Sequence, residues 1–413
     1  MSLSNKISKI IKSAMEIGFI HLLSANLLIQ IAGFGGQIFL TRILNVEEIG
    51  TIKVLQSHLN ILVVIASLGL NTAVLKLASE DISKREQTSI FNISFLLTII
   101  SSFILIAVVY YFNIFKVFKV YVFLLPILCI TSLIIVYLQS QQRIQMISYV
   151  QSYSKILIVG LSTLFAYLFG LNGYLKSLII LNFIAFIFII PFIRNELKSI
   201  FKFRISNVKL KKVWNIAFFA LGANLLGVLL SNLNIIMANS LLDNISEIGF
   251  YSIAQLIITT MMMIPSTLGQ IMVPKISKVS NNIEEVKMIY KTYQFRNTIL
   301  ALSVAISAGI LAPFIIPIVF GSQYEKSVLY FEILLIGFIC WSIYSPKGMT
   351  LMSLGKSNIN FYVSLCSFTL NVILNYILIK NFEMIGGAIA NSLVYFITIF
   401  INAFLFKKVM KRK

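Results

Sequence analysis

Charge is scarce in this chain. Only 12% of its 413 residues are Asp, Glu, Lys or Arg, about half the share carried by an ordinary soluble domain. Acids are the rarer sign, fourteen against 34 basic residues. Cysteine occurs three times, as Cys129, Cys340 and Cys366, each inside an apolar run. An odd number without metal-ligand spacing excludes a disulfide framework and a metal site, and the three are expected to pack in the core. Extramembrane sequence is also short: no stretch between apolar runs is long enough for a soluble domain.

What fills the chain is hydrocarbon. Hydrophobic residues make up 58% and the mean hydropathy is +0.92. Twelve apolar segments follow one another at 18–39, 54–75, 90–112, 117–138, 150–170, 174–193, 214–238, 248–273, 297–320, 327–352, 359–379 and 384–406. Each is close to the roughly 20 residues that a helix needs to cross a bilayer. Lipid offers backbone amides no hydrogen bonds, so a crossing must be a helix or part of a closed barrel. Continuous rather than alternating apolarity selects helices. The first run follows lysines, as in a signal peptide, yet its length and the lack of a small-residue cleavage motif make it the first transmembrane helix.

The net charge of +20 follows a membrane pattern rather than one suited to nucleic acid. With the N-terminus in the cytoplasm, 27 basic residues fall on the inner side and seven on the outer: Arg42, Lys53, Lys116, Lys119, Lys176, Lys326 and Lys380. The inner set includes Lys6, Lys9 and Lys12, Lys155, the run from Arg194 to Lys212, and the tail from Lys407 to Lys413. This bias puts both termini in the cytoplasm and the protein in the cytoplasmic membrane, touching anionic lipid.

The chain also repeats itself at half length. Residues 45–71 laid on 244–270 bring Asn45 onto Asn244, Glu48-Ile49-Gly50 onto Glu247-Ile248-Gly249, Gln56 onto Gln255 and Ser67 onto Ser266. Six crossings per copy make the repeats parallel. The expected fold is an all-α polytopic bundle of twelve transmembrane helices in two pseudo-symmetric six-helix lobes, 1–193 and 214–413, joined by a basic cytoplasmic linker at 194–213.

A polar residue inside a bilayer must face protein or water, so polar stripes mark a lining. In the first segment Asn26, Gln30, Gly33, Gln37 and Thr41 share a sector of roughly 80°. In the second, Lys53, Gln56, Asn60, Ser67 and Asn71 share about 60°. The eighth repeats this with Tyr251, Gln255, Thr259, Ser266 and Gln270, and the seventh carries Asn224, Ser231, Asn232 and Asn239 more loosely. Interhelical hydrogen bonding would explain any single stripe. Four on equivalent helices of two repeats suggest a shared wet cavity suited to a sugar.

Prolines 265, 274, 313, 317 and 346 crowd the second half, where they could serve as hinges or as plain packing kinks. All fourteen acids lie at or near segment ends, with Glu16 and Glu332 the most nearly embedded. No mid-membrane carboxylate is therefore available for a proton or sodium ion. His21 and His58 stand more than about 100° from their stripes and read as packed or interfacial. Gly355-Lys356-Ser357 imitates the end of a phosphate loop, but Thr350 occupies the position of its first glycine and no strand precedes it.

Three stretches resemble the oligosaccharide-lipid flippases of the polysaccharide biosynthesis transporters, the O-antigen and capsule flippases of the multidrug/oligosaccharidyl-lipid/polysaccharide (MOP) superfamily. They are Thr41-Arg42-Ile43-Leu44 with Glu47-Glu48-Ile49-Gly50; Ser67-Leu68-Gly69-Leu70 with Lys76; and Asn371 to Ile379 with Gly386-Gly387-Ala388-Ile389-Ala390. The resemblance implies a V-shaped bundle that passes an isoprenoid-diphosphate-linked oligosaccharide across the membrane by alternating access, with no cofactor, and with polysaccharide assembly proteins as further partners. Basic residues should then meet the diphosphate. Lys53 is on its stripe and Lys347 follows Pro346; Arg42 and Lys76 are off their stripes and rank behind them. Expected substrate contacts are thus Asn26, Gln30, Gln37, Lys53, Gln56, Asn60, Asn71, Asn224, Ser231, Gln255, Thr259, Gln270 and Lys347. Two alternatives stand beside this reading: a cation-coupled multidrug exporter of the same fold, which the placement of the acids disfavours, and a membrane enzyme acting on the lipid-linked glycan, which would need a sizeable soluble loop.

Overall fold

A computed structural model describes residues 19–80, 82–112, 118–194, 210–280 and 282–411, and every regular element among them is helical. Glu16, the N-terminal lysines, Lys116, linker residues 195–209 and the last two residues of the tail lie outside the described residues. The α-helices are α1 (Phe19–Ile43), α2 (Val46–Ala66), α3 (Leu70–Ala78), α4 (Lys84–Tyr111), α5 (Phe118–Tyr121), α6 (Leu124–Ser140), α7 (Ile144–Ile189), α8 (Leu210–Leu241), α9 (Ile245–Lys278), α10 (Ile283–Phe320), α11 (Ser327–Ser353) and α12 (Ser357–Lys411). Among the described residues nine helical stretches are long and apolar enough to cross a bilayer. Two are divided by residues outside helical dihedrals, α7 at Gly170 and α12 at Phe382 and Glu383. Both breaks fall where the apolar runs pause. Counting the divided helices as two rods each and adding α1 is consistent with the twelve crossings expected.

The packing is inverted relative to a soluble protein. On α4, Asn92, Thr98 and Ser102 are buried, whereas Ile100, Phe103 and Ile104 are more than half exposed. Apolar side chains face acyl chains while polar ones turn toward each other and the backbone. Ser102 donates to the Thr98 carbonyl at 2.7 Å, and Ser101 donates to the carbonyl of Ala66, where α2 stops. That bond satisfies an acceptor with no further turn of helix to meet it.

One expected crossing, 54–75, is interrupted. Leu68 and Gly69 take positive φ angles of 49° and 71°, and the membrane-length helix shifts to Val46–Ala66. A Cβ on Gly69 would stand 2.1 Å from the Ala217 carbonyl oxygen of α8. The corner therefore presses backbone against backbone in a conformation that glycine adopts without steric cost. The breaks fall at Gly69, Gly170 and Glu383 rather than at any proline. Cys129 and Cys340 are buried as expected, but Cys366 is exposed on the apolar face of α12 and packs no core.

The helices form two compact units, one of residues up to Leu44 with Leu59–Leu225, the other of Asn45–His58 with Leu226–Lys413. Helices α2 and α8 contribute residues to both. The first unit is centred on Leu70, Val74, Phe91, Leu133, Tyr137 and Ala217, with the Phe91 and Tyr137 rings 4.5 Å apart. Lys212 and Glu80 meet at 2.7 Å on its surface. In the second unit Met272, Tyr290, Leu351, Phe406 and Met410 tie α9, α10, α11 and α12 together at one end.

The repeated turn forms a corner of the second unit. Asn45 accepts from the Glu48 amide at 2.8 Å and Asn244 from the Ser246 amide at 3.1 Å, so both cap the helix that follows. A Cβ on Gly50 would lie 2.4 Å from the Ile245 carbonyl oxygen, and one on Gly249 would lie 2.2 Å from that of Val46. The offset of 199 converts each contact into the other, as in a two-fold interface. The glutamates have diverged. Glu48 accepts from its own cap residue's amide at 2.9 Å. Glu247 instead accepts the Tyr330 hydroxyl of α11 and lies 3.5 Å from Lys326. Tyr324, between α10 and α11, packs on Phe250, and burial together with the Glu48 carboxylate pushes its phenol above the ordinary range.

Candidate functional site

Three polar faces converge inside the second unit. The first rod of α12 carries Asn360, Ser364, Ser367 and Asn371 at i, i+4, i+7 and i+11. The second rod repeats that spacing with Asn391, Tyr395, Thr398 and Asn402. Helix α11 contributes Trp341, Tyr344, Ser345, Gly348 and Met352. At 3.6 residues per turn each set is one stripe. Together with Gly227, Leu230 and Ser231 of α8 they line an open cavity of about 570 Å³, within the roughly 300–1,000 Å³ range of small-molecule sites.

Hydrogen bonds hold most of this lining in place. Asn360 donates to the Gly348 carbonyl at 2.8 Å, and the Ser367 and Thr398 hydroxyls meet at 2.8 Å. Asn375 donates to the Asn371 carbonyl at 2.8 Å and also to its side-chain oxygen. Behind them Asn234 of α8 donates to the Gly387 carbonyl at 2.8 Å. Asn375 also donates to the Asn234 side-chain oxygen at 3.5 Å, so the family-like Asn375 and Asn234 of α8 together tie the first rod of α12 to the second. Asn402 differs: it is 2% exposed and its side-chain oxygen has no hydrogen-bond partner. No Lys, Arg, Asp or Glu lines the cavity among the described residues.

The cavity face of α11 is supported from α10. Pro346 has no N–H, so the Ser342 carbonyl loses its helical donor. Asn297 donates to that carbonyl at 2.7 Å, and Gln294 donates to the Ile343 carbonyl at 3.3 Å.

Among the residues expected from sequence, Ser231 borders the cavity, and Gln255 donates to its carbonyl at 3.3 Å. Thr259, one turn on, is exposed and bonds back to the Leu256 carbonyl. Lys347 is half-buried and stands about 120° around α11 from the middle of the cavity face. Lys53 and Gln56 are half-buried on the part of α2 that belongs to the second unit. In the first unit the Gln37 side-chain oxygen is buried without a partner, and Asn71 reaches the Ser132 hydroxyl at 3.4 Å. Gln30, Asn60, Asn224, Arg42 and Lys76 are exposed. The side chains of Asn26, Gln270 and His21 lie outside the described residues. His58 approaches the Val54 carbonyl at 2.8 Å, as a packed histidine does.

Two features escaped the sequence reading. The cavity stripes are one, since only Ser231 among its lining was expected; their spacing is the same as on α1 and was open to the same test. Lys155 is the other, assigned to the inner end of its segment by charge counting. It lies roughly 16 Å along α7 from Ile144 at 1.5 Å per residue, near the middle of the rod that ends at Gly170. Val159, one turn further, packs its Cγ1 2.3 Å from where a Cβ on Gly36 of α1 would be. Lys155 therefore accompanies the helix that carries Gln30 and Gln37.

Comparison with known proteins places these features in context. A family model described as "Polysaccharide biosynthesis protein" matches residues 39–329. A putative O-antigen transporter of Shigella flexneri is 22% identical over 282 residues, 67% of this chain and 66% of that protein. The chain thus spans just under two thirds of that relative's length, and matches to other curated relatives span between 34% and 47% of theirs. Among solved structures the fold is similar to the lipid II flippase MurJ in an inward closed conformation, with a TM-score of 0.71 and 14% identity over 93% of this chain and 87% of that one. It is also similar to a multidrug resistance MATE family transporter of the MOP superfamily in an inward-facing conformation, with a TM-score of 0.69 and 11% identity over 95% of this chain and 98% of the other.

Proposed function

The chain belongs to the polysaccharide biosynthesis protein family, and from that premise we propose that it is a flippase. It passes an isoprenoid-diphosphate-linked oligosaccharide across the cytoplasmic membrane by alternating access, for assembly of a surface polysaccharide. The supporting observation is the cavity of the second unit, in which amides, hydroxyls and aromatic rings stand among Leu230, Met349, Val363 and Val394, within a bundle whose outer face is apolar. The physical task fits such a molecule. Sugars and a diphosphate cannot enter hydrocarbon unaided, whereas a prenyl tail can stay in lipid while its head moves through a polar path.

In this reading both termini are cytoplasmic, residues 1–193 and 214–413 form the two lobes around the linker 194–213, and no covalent chemistry is performed. Lys53, Lys347 and the mid-membrane Lys155 are the cations for the diphosphate, and the polar stripes of α1, α2, α8 and α9 serve the glycan. An exporter driven by a proton or sodium ion is disfavoured by the acids: among the described residues each Asp or Glu stands within two turns of the end of its rod.

Accumulation tests the proposal. Cells lacking the protein should build up lipid-linked repeat units on the cytoplasmic face, and Lys53→Ala or Lys347→Ala should reproduce part of the defect. Normal surface glycan in cells lacking the protein would refute the function; normal surface glycan in both variants would refute those two cation assignments.

A further inference from the structure

The cavity of the second unit is built for one chemical part of such a substrate and against another. We infer that it is a subsite for uncharged sugar residues, with the diphosphate bound elsewhere; this rests on the glycan-transport reading above. Among apolar side chains such as Met349, Val363 and Val394, the donors and acceptors of its lining are all neutral. Phosphate recognition in proteins uses Arg, Lys or converging backbone amides, and a dianion in a pocket without them would bear its desolvation cost uncompensated. Lys347, the cation nearest in sequence to the lining, is turned off the cavity face.

A sugar offers what this lining needs. Each hydroxyl both donates and accepts, and a carboxamide presents a donor and an acceptor side by side. Asn360, Asn371, Asn391 and Asn402 place four such groups around one space. The partnerless oxygen of Asn402 is a buried acceptor awaiting a donor. Leaving it so is unfavourable, and a turn of this side chain toward the cavity that Asn402 lines would let a ligand hydroxyl remove the deficit. Trp341 adds a flat apolar wall suited to the C–H face of a pyranose ring, in the usual mixture of aromatic surface and a few placed polar groups.

The chain has two tryptophans, Trp214 and Trp341, so Trp214→Phe leaves a single indole, in the cavity wall, to be excited selectively over the tyrosines. The full-length protein in lipid nanodiscs is titrated with repeat-unit glycan released from the lipid of cells lacking the flippase and freed of phosphate, and separately with inorganic pyrophosphate. The expected result is a saturable change in Trp341 emission with the glycan, none with pyrophosphate, and binding about tenfold weaker in Asn402→Leu. Asn402→Ser, which keeps an acceptor, should bind more nearly as the parent does. Absence of a glycan response, or an equal response to pyrophosphate, overturns the subsite whether or not Asn402→Leu folds. If the deleted cells accumulate no lipid-linked glycan, it is the flippase reading that fails.

Discussion

The reciprocal crossing of Gly50 and Gly249 gives a sharp quantitative test. A Cβ at Gly249 would sit 2.2 Å from the Val46 carbonyl oxygen, more than about 1 Å inside van der Waals contact. The neighbour is a backbone carbonyl, so α2 and α9 must separate. Overpacking of this kind costs about 1–3 kcal/mol, partly masked by alanine's helix propensity, about 1 kcal/mol better than glycine's. Gly222→Ala on α8 supplies the control, since nothing lies within 4 Å of the added Cβ. The difference in unfolding free energy between Gly249→Ala and Gly222→Ala should then be about 1–3 kcal/mol. Gly50→Ala should behave alike, since its Cβ would be 2.4 Å from the Ile245 carbonyl. Both substitutions demand the same separation, so the double variant should cost less than the sum of the singles, by at least about 0.5 kcal/mol. Unfolding in mixed detergent micelles measures the cycle, and hydrogen exchange of amides 245–250 locates it. Gly249→Ala matching Gly222→Ala, or strict additivity, would refute the contact.

Further outcomes follow from the same geometry. Asn297→Leu removes the donor to the Ser342 carbonyl and should destabilise the protein by about 1–3 kcal/mol; Pro346→Ala, which restores a helical N–H, should recover part of that loss in the same unfolding assay. Lys155→Leu should abolish surface glycan at unchanged membrane abundance, while Lys155→Arg retains most of it; equal glycan in both would remove Lys155 from the substrate path. N-ethylmaleimide added to the detergent-solubilised protein should modify Cys366 well before the buried Cys129 and Cys340, as peptide mass spectrometry would read. Early modification of Cys129 would contradict its burial.

Apolar run length was enough to find the helices, because a bilayer demands long uninterrupted segments and little else produces them. The pauses at Gly170 and at Phe382–Glu383 were legible as loops between runs even where the helices nearly join. The interruption at Ser67–Gly69 was not, because its cause is the backbone of α8 arriving from 150 residues away, and the equivalent stretch of α9 runs on unbroken. The repeat was visible in Asn45, Glu48 and Gly50; the shared roles of cap and crossing point explain the recurring Asn and Gly, whereas the two glutamates hold different partners. The cavity was missed for a different reason. Attention to helices paired by the repeat favoured α1, α2, α8 and α9, whereas α11 and α12 have the same polar period without a recognised counterpart. Lys155 was hidden by a topology rule that counts charges by segment and does not measure depth.

The unequal fates of Glu48 and Glu247 bear on how the corner of the second unit would yield. The carboxylate of Glu48 is turned back on its own first turn, while that of Glu247 moors α9 to Tyr330 and Lys326 beside it. Strain applied there would therefore lift α2 away at the glycine crossing and leave α9 and α11 travelling as a single block. The motif occurs twice, and the different partners of its two glutamates make one copy the anchor and the other the latch.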